Sequence, residues 1–263
     1  MRRIVTLLTD FGYQDAYVGI MKGVILSHAP DAQLVDLTHA IPPQDLAQGA
    51  FHLWASVEVF PEGTIHLAVV DPGVGGERRA IACEAGGQFF VGPDNGLLWS
   101  AIQRFPHIRV VELTQTSFFR TTISDTFHGR DIFAPVVGHL AHGRTLREIG
   151  RPIADPIALD IFDVEGDGQR IWGRILSVDR FGNLCTNLSR GILRMFPEFQ
   201  ELQITVGPHE ITTPLSKTFS DVISGSLVVY FNSYGLLEIA LRGGSAADFL
   251  QIKAHTPVWL EPA

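Results

Sequence analysis

Apolar and polar residues alternate along the first part of the chain in a pattern that predicts strands and helices in turn. A short apolar run at residues 4–8 predicts a strand, and the continuous apolar run at residues 64–70 is typical of a strand covered on both faces. Between them, residues 15–28 carry apolar side chains at helical spacing, and residues 44–59 again predict a helix. Further strands are predicted at residues 32–37, 80–84, 89–91 and 109–113, and further helices at 97–104 and 130–141. This alternation predicts an α/β domain with a largely parallel sheet.

The pattern changes near residue 160, after which short apolar stretches are separated by turn-rich segments. Strands are predicted at residues 171–178, 202–206, 226–231, 236–241 and 257–260. Short strands at this spacing are typical of an antiparallel sheet or a small barrel. We therefore predict two domains, an α/β domain over residues 1–160 and a smaller all-β, barrel-like domain over residues 161–263.

Composition narrows the class of partner. The chain has 263 residues, is 46% hydrophobic and carries a formal net charge of −8, with no long run of Lys or Arg. An acidic protein of this kind does not offer a nucleic-acid surface, so we expect a small-molecule substrate. No apolar stretch reaches about 18 residues and the apolar start is short, so we expect a cytoplasmic protein without a membrane partner. Cys83 and Cys185 lack disulfide or zinc spacing, and we expect them reduced.

Three loops are placed where a parallel sheet binds ligands, beyond the carboxyl ends of its strands. They are TDFG at residues 9–12, VDPGVGGERR at 70–79 and TFHGRD at 126–131. Spacing alone favours simpler explanations, because Asp-Pro-Gly is a strong turn sequence and an isolated histidine is more often structural. A phosphate loop is disfavoured, because neither GxGxxG nor a Gly-Lys-Ser/Thr sequence is present in the second loop.

Three segments of the smaller domain combine aromatic rings with small polar groups. They lie at residues 177–187, 218–221 and 231–235. Each alone resembles a hairpin turn. Together they offer ring faces for stacking and carboxylates for hydroxyl and ammonium groups, which suit a ligand made of a purine and an amino acid.

Six ordered motifs resemble those of the adenosine-forming S-adenosylmethionine (SAM) hydrolases, also called SAM hydroxide adenosyltransferases, which are relatives of bacterial fluorinases and chlorinases. The motifs are TDFG..DAYVG.MKG, VDPGVG..RR, GPDNGLL, TFHGRDIFAP, D.FGN..TN and NS.G.LEIA, and they span nearly the whole chain. The resemblance implies hydrolysis of SAM to adenosine and methionine by water attacking ribose C5′. It also implies a homotrimer with active sites between the N-terminal domain of one subunit and the C-terminal domain of its neighbour.

The resemblance also implies which residues form the site. The catalytic set is Asp71, Arg78 and His128, and the ribose-hydroxyl carboxylate is Asp10. The methionine moiety would contact Asp15, Asp179 and Ser233, and the adenosine would contact Phe181, Asn183 and Phe219. No cluster with metal-ligand spacing is apparent in the sequence, so we expect neither a metal nor another cofactor.

The chain departs from the halogenases at informative positions. Asp71 stands where the halogenases have a Tyr, and Gly129 stands where they have a Ser that contacts the halide. The segment between Glu84 and Phe89 has no room for the loop insertion typical of fluorinases. These differences favour water over halide as the nucleophile. Tyr234 stands where fluorinases have an Arg, which leaves the contact to the methionine carboxylate open.

The chemistry requires an activated nucleophile rather than an acid, because methionine leaves SAM as a neutral thioether. Water has a pKa of about 15.7 and displaces poorly. We hypothesise that Arg78 and His128 hold a water in line with the C5′–sulfur bond while Asp71 orients the pair. The proton acceptor stays open between Asp71, His128 and solvent. The alternatives are a SAM or adenosine sensor without catalysis, a halide-dependent halogenase, and a metal-dependent hydrolase using Asp10, Asp71 and His128.

Overall fold

The computed structural model describes residues 3–191 and 201–263, which divide into two compact units, Met1–Asp160 and Ile161–Ala263. The strands of the first unit are β1 Ile4–Thr9, β2 Gln33–Thr38, β3 Ile65–Val69, β4 Ala80–Ala85, β5 Gln88–Pro93, β6 Arg109–Leu113 and β7 Gly150–Pro152. Its helices are α1 Tyr17–His28, α2 Leu46–Ser56, α3 Trp99–Ile102, α4 Ala134–Ala141 and α5 Leu146–Ile149. Short 3₁₀ turns at Val57–Val59 and Thr116–Phe118 and a π-helical turn at Gly129–Phe133 complete the unit.

The sheet of the first unit is mixed rather than largely parallel, so that part of the prediction is wrong. Its strand order is β2-β1-β3-β5-β4-β6-β7. The pairs among β2, β1, β3 and β5 are parallel, whereas β5–β4, β4–β6 and β6–β7 are antiparallel. The change occurs because β4 and β5 form a hairpin, whose turn is Gly86-Gly87 with φ values of 58° and 73°. Two such glycines match the right-handed twist of a tight hairpin.

The parallel half of the sheet has a buried and mostly apolar interior. Every residue of β3 is buried, as are Val5 to Thr9 of β1. The core on one face includes Met21 and Ile25 of α1 and Val137 and Leu140 of α4. Burial of these apolar side chains from water is the main contribution to the stability of the packed sheet and helices. The predicted strands that lack polar alternation are therefore confirmed as central strands.

The second unit is an antiparallel sheet. Its strands are β8 Glu165–Gly166, β9 Ile171–Val178, β10 Leu184–Ser189, β11 Leu202–Val206, β12 His209–Thr213, β13 Leu227–Phe231, β14 Leu236–Leu241 and β15 Pro257–Pro262. The order is β12-β11-β15-β9-β10-β14-β13, with β8 pairing β9. A bridge between Ser216, just after β12, and Tyr230 of β13 links the two edges, so the sheet is barrel-like and nearly closed. Helix α6 at Ala246–Leu250 follows β14.

Strand β10 was not predicted, because its polar residues suggested a turn. Thr186 is fully buried, and its hydroxyl donates to the Leu237 carbonyl at 2.8 Å. Asn187 donates to the Asp163 carbonyl at 2.9 Å and accepts from the Arg174 amide at 2.8 Å. Buried polar side chains with partners cost little, so this strand tolerates them. Across the residues described, no helix has the length and apolar content that a bilayer crossing requires.

Candidate active site

Two of the predicted loops meet at one edge of the first sheet. Asp10 directly follows β1 and Asp71 closely follows β3, and these two strands are parallel neighbours. The carboxyl ends of parallel strands lie at the same edge of a sheet, and ligands bind there. The third loop reaches the same place. Its His128 immediately precedes the π-helical turn that leads into α4 and lies 2.8 Å from Arg78 of the second loop. A cavity of about 390 Å³ lies between the loops, and its walls include Asp10, Asp71 and His128.

Asp71, Arg78 and His128 form a continuous hydrogen-bonded chain. Arg78 donates from Nε to Asp71 Oδ1 at 2.9 Å and from Nη2 to Asp71 Oδ2 at 2.5 Å. Nη2 also lies 2.8 Å from Nδ1 of His128. The Asp71 and Arg78 side chains are 6% and 11% exposed, so this bidentate pair is shielded from solvent. The guanidinium also lies over the Phe133 ring, 5.4 Å from its centroid.

The proton on His128 follows from its partner. A guanidinium has donors only, so Nδ1 of His128 accepts and the proton of the neutral ring is on Nε2. Burial lowers the pKa of His128 and the charge of Arg78 lowers it further, against the opposing influence of Asp71, Asp125 and Asp131. The imidazole is therefore neutral at neutral pH. Its Nε2–H is a hydrogen-bond donor rather than a base.

The loop that carries Asp71 and Arg78 is held at both ends by the GPDN motif. The Asn95 side chain donates to the Val70 carbonyl at 2.9 Å. Asp94 is buried, and it accepts from Arg79 Nε at 2.7 Å. Within the loop, Gly75 has φ of 76°, and a Cβ there would lie 2.3 Å from the Asp125 carbonyl oxygen. Glycine is thus required for the close approach of this loop to the segment before His128.

A buried carboxylate that the sequence did not single out is hydrogen-bonded to the loop that precedes His128. Asp131 is fully buried and accepts from Arg130 Nε at 2.7 Å, Arg120 Nη1 at 3.2 Å and the Ser124 amide at 2.9 Å. Burial by itself would raise the pKa of Asp131, but the hydrogen bonds from Arg130 and Ser124 lower it. The charged carboxylate therefore holds the loop before His128 in place. The π-helical turn at this point is a feature often found at functional sites.

The remaining predicted residues of the first unit behave differently from each other. Asp10 faces the cavity, and its Oδ2 accepts from the Gln44 amide at 2.8 Å. Gln44 also lines the cavity and has φ of 65°, a rare conformation for a residue with a side chain. Asp15 is exposed just before α1 and is not among the residues that line the cavity. The sequence signal for Gln44 was its position after Pro42 and Pro43, which favour a turn.

In the second unit, an open cavity of about 540 Å³ is lined by Phe181, Asn183 and Phe219. The Phe181 ring is 76% exposed and the Phe219 ring, 40% exposed, packs on Tyr230 with centroids 5.0 Å apart. Both aromatic side chains thus present ring surface to solvent. Arg242, which sequence reasoning missed, also lines this cavity.

Asp179 and Ser233 lie on turns of the second unit. Asp179 accepts from the amides of Phe181 and Asn183 at 2.9 and 2.8 Å through Oδ1, and from Asn183 Nδ2 at 2.8 Å through Oδ2. Its carboxylate therefore shapes the turn that presents Phe181. Ser233 is exposed in the turn after β13, beside Tyr234. That turn is organised by Asn232, which accepts from the Tyr234 amide at 3.0 Å.

Metal-ligating residues are not clustered in the described part of the chain. Within residues 3–191 and 201–263, no group of three or more His, Cys, Asp or Glu side chains is arranged to hold a metal ion. Both cysteines are buried and free, and burial raises the pKa of Cys185 to about 12. They are inert thiols rather than nucleophiles.

Comparison with known proteins defines the class. The family model described as the SAM hydroxide adenosyltransferase N-terminal domain matches residues 5–150, and that of the C-terminal domain matches residues 173–259. The chain belongs to the SAM hydroxide adenosyltransferase family, as its motifs predicted.

Relatives of known name and structure agree with this membership. An (R)-S-adenosyl-L-methionine hydrolase from Thermus thermophilus is 40% identical, over 98% of this chain and 99% of the relative. A fluorinase from Nocardia brasiliensis is 29% identical, over 98% of this chain and 96% of the relative. A crystal structure of an uncharacterized conserved protein from Thermotoga maritima superposes with a TM-score of 0.90 at 34% identity, and covers 97% of this chain and 99% of the other.

Proposed function

We propose that the protein hydrolyses S-adenosyl-L-methionine to adenosine and L-methionine by attack of water at ribose C5′. The observation that carries the proposal is the shielded Asp71–Arg78–His128 chain, which lies beside the cavity that Asp10 also lines. A chain of this family with that arrangement has donors for a developing hydroxide and a carboxylate for ribose hydroxyls. The relative from Thermus thermophilus that bears the hydrolase name covers nearly the full length.

The three side chains act on water rather than on the leaving group. The C5′–sulfur bond breaks with its electron pair on sulfur, so methionine leaves as a neutral thioether and needs no acid. The oxygen of water forms the new bond to C5′, and one proton is released. As that proton passes to solvent the oxygen gains hydroxide character, which the hydrogen bond from His128 Nε2–H stabilises, and Arg78 keeps the ring in this tautomer through Nδ1. Asp71 fixes the guanidinium by two hydrogen bonds.

The proton balance disfavours His128 as the base. Its Nδ1 is engaged by Arg78 and its Nε2 already carries a proton. Both Asp71 oxygens accept from Arg78. We therefore assign the released proton to solvent, with catalysis supplied by alignment and by stabilisation of hydroxide character. No metal enters this scheme, since donors of the protein provide the positive field.

The substrate contacts are assigned as follows. Asp10 Oδ2 is used by Gln44, which leaves Oδ1 for the ribose hydroxyls. Phe181 and Phe219 offer ring surface for adenine, and Asn183 lines the same cavity. Asp15, Asp179 and Ser233 are assigned to the methionine moiety. Asp179 reaches it only with the lone pairs that its turn leaves unused.

We further propose that the enzyme works in the cytoplasm as a homotrimer with active sites shared between subunits. Two free, buried cysteines suit a reducing compartment. Each unit by itself offers part of the contacts that SAM needs, the water-directing groups in the first and the stacking rings in the second. Mixing an Arg78→Lys protein with a Phe219→Ala protein tests the sharing. Subunit exchange regains activity if sites form between subunits and regains none if each chain completes its own site.

Incubation with SAM in oxygen-18 water, followed by mass spectrometry, tests the reaction. The expected products are adenosine labelled at the 5′ oxygen and free methionine. Unlabelled adenosine, or adenine with S-ribosylmethionine, contradicts attack of water at C5′. Tight adenosine binding without turnover identifies a sensor instead.

A further inference from the structure

A chain of three polar side chains, two fully buried and one partly exposed, lies beneath the loop that carries Asp10. Thr9 ends β1, and its Oγ1 lies 2.8 Å from Nδ1 of His39, which follows β2. Nε2 of His39 lies 3.1 Å from Oδ1 of Asp36 in β2. Thr9 and His39 are both fully buried. None of these three side chains lines the cavity, so the chain acts on a ligand only through the loop above it.

The charges of this chain identify its hydrogen-bond direction. Lys22 donates to Asp36 Oδ2 at 2.7 Å, and the Tyr13 hydroxyl lies 3.3 Å from the same oxygen. Burial raises the pKa of Asp36, but the hydrogen bond from Lys22 and the contact with His39 lower it more, so the carboxylate is charged. Burial lowers the pKa of His39 despite Asp36, so the ring is neutral at neutral pH.

The contact between His39 and Asp36 is electrostatic rather than an aligned hydrogen bond. His39 Nε2 and Asp36 Oδ1 are buried, and neither has an aligned hydrogen-bond partner among the described residues. A charged carboxylate 3.1 Å away places the ring proton on Nε2. Nδ1 is then an acceptor, and Thr9 donates its hydroxyl proton to it.

His39 and Thr9 together hold the backbone around Asp10. The Thr9 oxygen accepts from the Phe11 amide at 3.2 Å. The His39 carbonyl accepts from the Gly12 amide at 2.8 Å. On the opposite side the Gln44 amide donates to the Asp10 carboxylate, with Gln44 in its strained conformation. Hydrogen bonds therefore converge on this loop from both sides, although burying such polar groups carries a desolvation cost.

We infer that Thr9, His39 and Asp36 are positioning residues that fix the Asp10 carboxylate for recognition of the ribose hydroxyls of the substrate. The inference rests on the proposed function, in which Asp10 contacts the ribose. If these residues had a purely structural role, loss of one of their hydrogen bonds would lower stability but would leave discrimination between ribose and deoxyribose unchanged. A positioning role links the Thr9 hydroxyl to that discrimination.

The test compares Thr9→Val with Thr9→Ser. Valine has nearly the same shape but no hydroxyl, whereas serine keeps the hydroxyl. Thr9→Val is expected to raise KM for SAM about tenfold, which corresponds to the loss of one buried hydrogen bond. The change in kcat should be much smaller. The variant should also reduce the preference for adenosine over 2′- and 3′-deoxyadenosine, measured by calorimetry. Thr9→Ser should restore both quantities.

The matched control is Thr64→Val. Thr64 is also a buried threonine, and its hydroxyl donates to the Pro61 carbonyl at 2.7 Å just before β3, away from the carboxyl-end loops. Its loss should lower stability without changing KM or the deoxyadenosine preference. Asp36→Asn is the second variant, because Asp36 is partly exposed and its replacement is isosteric. It should change both quantities in the same direction as Thr9→Val.

The outcomes distinguish the assignment of Asp10 to the ribose from the positioning role of the residues behind it. If the wild-type enzyme binds adenosine and both deoxyadenosines equally, the assignment of Asp10 to the ribose is wrong. If the wild type discriminates but Thr9→Val and Asp36→Asn keep its KM and its preference, the positioning inference is overturned while the proposed hydrolysis stands. A loss of kcat with an unchanged KM in these variants overturns it as well.

Discussion

Replacement of Arg78 by lysine tests whether the geometry of the guanidinium, and not only its charge, supports catalysis. Arg78 spans both oxygens of Asp71 and Nδ1 of His128, at 2.9, 2.5 and 2.8 Å. A single ammonium group cannot occupy these positions together. Loss of the bond to Nδ1 frees the tautomer of His128. We expect kcat to fall about 10²- to 10³-fold, as when one preorganised donor is removed from an active site.

The assay is adenosine release under saturating SAM, together with adenosine affinity measured by calorimetry. Affinity for adenosine should change little, because the proposed mechanism has Arg78 acting on water and not on the nucleoside. Arg170→Lys is the matched control. Arg170 also makes two hydrogen bonds to one carboxylate, that of Glu261, at 2.5 and 3.4 Å, but neither residue lines the cavity of either unit. Its replacement should leave kcat within about threefold, since it loses only structural hydrogen bonds.

A kcat of Arg78→Lys within a few-fold of the wild type would contradict a geometric role for the guanidinium, since charge alone would then suffice. Equal losses of kcat in the Arg78 and Arg170 variants would also contradict it, because the effect would then be one of stability. Arg78→Met measures how much the charge of Arg78 contributes to stability. It leaves the buried Asp71 carboxylate unpaired, and the expected destabilisation is about 3–5 kcal/mol, measured by denaturant unfolding.

Three further predictions follow from other parts of the molecule. Burial lowers the pKa of His66 from 6.5 to about 4, so the unfolded state binds the proton first as pH falls. The free energy of unfolding should therefore drop between pH 6.5 and about 4, by up to about 3 kcal/mol, and His66→Gln should flatten this part of a urea-unfolding series. Prolonged dialysis against a chelator should leave turnover unchanged, and activity restored by one added divalent cation would contradict the metal-free scheme. Incubation with chloride should yield no 5′-chloro-5′-deoxyadenosine. Gly129→Ser should also yield none while lowering the melting temperature, because a Cβ at Gly129 lies 3.2 Å from Met21 Sδ and 3.3 Å from Phe127.

The mixed first sheet shows where local patterning stops being informative. Apolar runs at residues 80–84 and 89–91 predicted strands, and β4 and β5 are there. Whether two strands pair in parallel or antiparallel depends on their connection, and here Gly86-Gly87 closes a hairpin. The polar β10 was missed for a related reason. Its Thr186 and Asn187 find hydrogen-bond partners in distant strands and loops, which no local period records.

The family and the order of most strands and helices could be read from the linear chain, as could the proposal of Asp71, Arg78 and His128 as catalytic residues. Periodicity and turn chemistry act over a few residues, and ordered motifs are visible in a linear chain. The hydrogen bond between Arg78 and His128, 50 positions apart, becomes visible only in the folded structure, and it specifies the imidazole tautomer. Packing also brings Asp131 against the loop before His128, and His39 against the loop that carries Asp10. Burial and long-range contact set the protonation state of a side chain, and both arise only when distant segments pack together.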